Sequence, residues 1–111
     1  MAPRSVSQSA FAAEMRRLQQ DSGQPSVRDL VTLMRAAGQP YARSTIGDKL
    51  AGVSKPSWEF VAAFVRACAV HRGERGAAEA ELARWRTRFT DLRRGVVATS
   101  AASERAVPRQ L

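Results

Sequence analysis

The 111 residues are 44% hydrophobic and 25% charged, proportions of one soluble globular domain rather than of a disordered or membrane-embedded chain. The longest apolar run, Phe60 to Val65, is far short of the roughly 20 residues that cross a bilayer, and Met1 to Ser9 lacks the apolar stretch of a secretion signal, so a cytoplasmic protein without a membrane partner is expected. A formal charge of +8 and a pI near 11.4 point to a polyanionic partner, nucleic acid first.

All the cations but Lys49 and Lys55 are arginines, a bias that a GC-rich genome also produces. They are spread along the chain. Residues 25–57 hold five cations against two acids, and residues 77–94 hold five against three.

Residues 1–8 are polar and aperiodic and are read as a flexible arm. Ser9 offers a cap for a first helix over about 10–21, with Phe11, Met15 and Leu18 on one face. Gly23 and Pro25 stop it. Ser26 with Asp29 three residues on is an acidic variant of the capping box, and Val27, Leu30, Val31 and Met34 give the following helix its apolar stripe. Gly38 and Pro40 end that helix.

A third helix is predicted over about 43–51, with Ile46 and Leu50 as its buried pair and Gly52 as its end. After the loop Val53 to Pro56, Ser57 caps a fourth helix. Its apolar residues Trp58, Val61, Phe64, Val65 and Cys68 are too numerous for a surface element, so it is the core. His71 to Gly76 read as a polar, two-glycine flexible link. In the fifth helix Leu82, Trp85, Phe89 and Leu92 recur on one face, with Arg84, Arg86, Arg88 and Arg93 on the others. Residues 95–111 read as a flexible tail. The expected organisation is an all-α, five-helix domain over 9–94 between an arm and a tail.

Two short helices joined by a tight glycine-bearing turn, the second sparsely apolar, make the pattern of a helix-turn-helix at about 26–52. The second helix keeps a thin stripe for the core because its remaining surface faces a major groove about 12 Å wide. Arg43, Ser44 and Thr45 stand at its opening turn, where side chains reach base edges and the helix dipole favours phosphate. Gly47 allows close backbone approach, and Lys49 lies further along. Arg28 and Lys55 flank this helix as either phosphate contacts or solvated charges, and Tyr41 either touches phosphate or plugs the turn. Asp48 is read as a partner for Lys49, Arg43 or Arg28.

The runs Ser26 to Leu30, Ala42 to Gly52 and Trp58 to Cys68 resemble the Cro/C1-type (XRE-like) helix-turn-helix domains common in actinomycetes, over about residues 9–92. The resemblance implies a Cro/C1 repressor-like fold, a cytoplasmic, nucleoid-associated place, and a recognition helix opening on Arg43, Ser44, Thr45 and Ile46. Seven residues separate Gly38 from Ile46, a longer turn than the ordinary repressor has, which re-aims that helix.

The implied function is sequence-specific binding of double-stranded DNA in transcriptional regulation. An alternative is an adaptor that keeps the fold and docks a partner protein. The stripe of the fifth helix either forms a homodimer or folds back on Phe11 and Leu18. No catalytic set, metal site or cofactor is expected: His71 has no Cys or carboxylate cluster beside it, Cys68 is a packed thiol, and Glu14, Glu59, Glu79 and Glu81 are read as facing outward without converging.

Overall fold

In a computed structural model, which describes residues 7–94, those residues form five α-helices and no strand: α1 (Gln8–Asp21), α2 (Val27–Ala36), α3 (Arg43–Ala51), α4 (Trp58–His71) and α5 (Ala78–Arg94). A 3₁₀ turn, Arg75–Ala77, leads into α5. The arm read from the sequence, apart from Ser7 and Gln8, and the whole tail lie outside the described residues.

Serine hydroxyls start three of the helices. Ser7 accepts from the Ala10 N–H at 3.0 Å, Ser26 from Asp29 at 3.0 Å and Ser57 from Phe60 at 3.1 Å, each satisfying a donor that the first turn leaves without a carbonyl. At Ser26 the box is complete, because the Asp29 carboxylate accepts the Ser26 N–H at 3.0 Å. The cap of α1 is Ser7 rather than Ser9, so the helix opens at Gln8, about two residues earlier than expected.

The first four helices end alike, with an N–H reaching back five residues: Gln24 to Gln19, Gln39 to Met34, Val53 to Asp48 and Glu74 to Ala69, all at 2.8–2.9 Å. Gly52 shows what such an end needs. Its φ of +80° lies in the left-handed region that favours glycine.

The core is organised on α4, whose buried residues Phe60 to Val65 and Ala67 to Ala69 leave little of it to water. Leu30 and Met34 of α2, Phe11, Ala12 and Met15 of α1 and the α5 stripe Leu82, Trp85, Phe89 and Leu92 complete one cluster. Within this chain the stripe folds back, with Phe11 edge-on to Trp85 at 5.6 Å and to Phe89 at 6.3 Å. Trp58, read from its spacing as core, is only half buried, at the rim beside Phe89.

Two sequence expectations are corrected at the α4 terminus. His71 to Gly76 is no flexible link: α4 runs through His71, and Arg72 is pinned. Its guanidinium donates to the Ser22 hydroxyl at 3.0 Å and meets Glu74 at 2.7 Å and Glu81 at 2.5 Å. Glu81 therefore does not face outward but sits half buried in an ion pair. Ser22, the buried polar residue of this core, is also held through its carbonyl, 2.8 Å from His71 Nδ1. These bonds join the α1–α2 corner to the end of α4 across about fifty residues of sequence.

No helix among the described residues is long and apolar enough to cross a membrane. Among the same residues no group of three His, Cys, Asp or Glu side chains comes together.

Two outcomes follow. Burial pushes the Cys68 thiol up to about 12, outweighing the Ser22 hydroxyl and Arg72, which pull the other way. Iodoacetamide at pH 8 should therefore leave native Cys68 unmodified and label it only after unfolding; rapid labelling of the folded protein contradicts that packing. The Ser26 backbone N–H, and then its hydroxyl, hold the Asp29 carboxyl below its ordinary range. A lowered carboxylate contributes stability that is present above the unfolded value near 3.8 and lost as pH falls through the folded one. The Tm gap between the native chain and Asp29→Ala should be steady near pH 6–7 and close below about pH 4. A gap indifferent to pH would mean that the charge contributes nothing.

Candidate nucleic-acid interface

α3 is a short helix with a narrow apolar stripe. Of its nine residues only Ile46 and Leu50 are buried, and it rests mainly on α1 and α2. So thin a stripe is a weak anchor, since a fully buried Ile or Leu stabilises by about 1.5–3 kcal/mol. Hydrogen bonds from α1 supplement it. Arg16 Nη1 donates to the Leu50 carbonyl at 2.5 Å, and Gln8 Nε2 donates to the Gly52 carbonyl at 2.8 Å. Both satisfy carbonyls that the last turn leaves free, and the arginine places a cation at the negative end of the helix dipole.

The opposite end is open. The residue before α3 is Ala42, which has no side-chain acceptor, so its first N–H groups carry no cap of the kind serine supplies to α1, α2 and α4. Arg43 and Ser44 at this end are exposed and Thr45 is half buried. Gly47 follows on an open side, where an added Cβ would meet nothing within 4 Å. These four candidates lie together on one short helix.

The other candidates are placed differently. Tyr41 is half buried with its ring edge-on to Phe60 at 5.2 Å, which is the turn-plugging alternative of the two left open. Lys49 turns back: its ammonium donates to the Lys55 carbonyl at 3.1 Å and lies 5.7 Å from the Phe60 ring centre, so it fixes the α3–α4 loop. The Lys55 side chain remains exposed. Arg28 is exposed in the first turn of α2, about 12 Å along that helix from Ala36. Asp48 is exposed, and among the described residues no cation stands within ion-pair distance of it, against the pairing read from the sequence.

Sequence reasoning did not single out Gln8 or Arg16, because their partners lie 44 and 34 residues away. If they seat α3, Arg16→Ala and Gln8→Ala should each lower stability by about 1 kcal/mol. They should also speed amide exchange in Lys49 to Gly52 more than in α4. Uniform acceleration throughout the domain would show that α3 is held by its apolar pair alone.

No family model matches the chain, and neither a curated protein nor a solved structure matches it significantly.

Proposed function

We propose that this chain is a double-stranded DNA-binding transcriptional regulator of Cro/C1 helix-turn-helix type, in which α2 and α3 form the motif and α3 enters the major groove. The observation that carries the reading is the open N-terminal turn of α3. An uncapped helix start with Arg43 and Ser44 in solvent, on a helix whose C-terminal end is the anchored one, leaves that turn available to another molecule. An α-helix is about 10–12 Å across, and the major groove is about as wide.

In this reading Arg43 donates in a bidentate manner to the acceptors of a guanine edge, and Ser44 and Thr45 supply shorter hydrogen bonds to neighbouring bases. The free N–H groups of the first turn receive a phosphate. Lys55 and Arg28 grip the backbone on either side and carry no sequence information. Tyr41 and Lys49 hold the turn and the following loop in place. A regulator of this kind occupies a promoter and resides on the nucleoid in the cytoplasm.

A second reading, protein docking, has an observation of its own. Leu33, Ala36 and Ala37 of α2 and its flank, with Ala63, Ala67 and Val70 of α4, floor an open groove of about 490 Å³ rimmed by Arg66, Arg75 and Glu79. Such a surface suits an apolar side chain of a partner protein.

Selection of bound sequences from a random duplex pool at physiological salt separates the readings. The DNA reading requires specific enrichment. On the enriched site Arg43→Ala should cost about 1–3 kcal/mol while barely altering affinity for random duplex, whereas Lys55→Ala should weaken both to the same degree. Equal losses on every sequence would remove the base-reading role of Arg43, and a pool without enrichment would remove the regulator reading.

A further inference from the structure

Arg86, Phe89, Thr90 and Arg93 fall at i, i+3, i+4 and i+7 of α5 and therefore share one face. In the structure that face meets the start of α4 and the loop before it. Lys55, Pro56, Ser57, Trp58 and Glu59 on one side and Arg86, Phe89 and Arg93 on the other line an open groove of about 420 Å³.

The groove is electrically one-sided, with three cations against the single carboxylate of Glu59. Three other arginines of the same two helices and their junction are paired with carboxylates: Arg66 lies 3.9 Å from Glu79, Arg72 holds Glu74 and Glu81, and Arg88 reaches Glu14 at 3.1 Å. Among the described residues no carboxylate stands within ion-pair distance of Lys55, Arg86 or Arg93. The positive end of the fourteen-residue α4 opens on the same place and adds to the field.

Arg86 is also ordered in advance. Its Cζ lies 4.9 Å from the Trp58 ring centre, and Trp58 is itself lodged against Phe89 at 5.7 Å. A guanidinium lying over a ring uses its flat face and keeps its N–H donors, which lie in its plane, available to an anion. The stack also limits Trp58 as a platform for an unpaired base, since Arg86 covers it. Lys55 links this groove to α3, because the carbonyl that anchors Lys49 and the side chain that lines the groove belong to one residue, four positions after Ala51.

We propose that the groove between the start of α4 and the Arg86–Arg93 face of α5 is a second backbone-phosphate site for duplex DNA, extending the contact made by α3. The proposal rests on the DNA-binding reading above. Arg86 and Arg93 act there as sequence-independent grips, each displacing condensed counterions from the duplex.

The test is fluorescence anisotropy of the full chain on a labelled random duplex between 50 and 200 mM salt. The double variant Arg86→Gln/Arg93→Gln should make the plot of log affinity against log salt shallower by about 2, so that the fourfold rise in salt costs roughly 10-fold less affinity than in the native chain. Arg86→Lys, which keeps the charge, should keep the native slope. Arg75→Gln, which removes one charge outside the groove as Arg93→Gln removes one inside it, should keep it too. Because Arg86→Gln also removes the stack on Trp58, Arg93→Gln alone tests the site in a variant that leaves the stack intact, with an expected change of about 1 in slope.

An unchanged slope in folded variants, in a protein whose preferred site still depends on Arg43, overturns the groove and leaves the α3 reading standing. A slope change of equal size in Arg75→Gln overturns it as a site, since net charge would explain the effect. A native chain that binds no duplex overturns both.

Discussion

The helix Trp58–His71 buries nine of its fourteen residues, and the remaining architecture is a response to that constraint. A helix apolar on nearly all sides has to be covered on nearly all sides, so α1, α2 and α5 each bring a stripe to it. Phe60 and Phe64, stacked at 6.2 Å, form its thickest part, and Tyr41 closes the edge of that pair from the α2–α3 turn. The same packing aligns the helix ends. With α1 and α4 pressed together, Ser22 meets His71 and Arg72, and the α1–α2 corner cannot move independently of the far end of α4.

α3 differs from α1, α2 and α4 in its ends. It buries two residues in the cluster, as α2 does, and is steadied by polar bonds at its C-terminal end, while its N-terminal end lacks the serine cap of the other three. The result is a rod attached at one end, with arginine, serine and threonine at the other, and this asymmetry is the physical content of the proposed recognition helix.

Local features were legible in the sequence because their partners are neighbours in the chain. The Ser26–Asp29 box, the Ser57 cap, the boundaries of α3 and the stop at Gly52 need nothing beyond three or four residues. The choice of Ser7 over Ser9 was not local. Both are acceptors, and starting at Gln8 brings its amide to the Gly52 carbonyl. His71 to Gly76 looked flexible because two glycines and four polar residues carry no period, but Arg72 finds Ser22, fifty positions away, and Glu81. Among the site residues, exposure of Arg43 and Ser44 follows from the two-residue stripe of their helix. The turning back of Lys49 requires knowing where the loop carbonyl of Lys55 comes to rest.

Charge shows the same limit most clearly. The formal excess of +8 counts every arginine alike, but the fold divides them. Arg66, Arg72 and Arg88 are placed against carboxylates, and Arg16 is placed against a backbone carbonyl. Arg43, Arg86 and Arg93 have no carboxylate partner among the described residues, and the last two are gathered with Lys55 beside the start of α4. A polyanion responds to the field at its own surface, which falls off over about 10 Å in ordinary salt. Where the unneutralised cations are gathered, rather than how many the composition records, therefore decides which faces of this molecule attract phosphate.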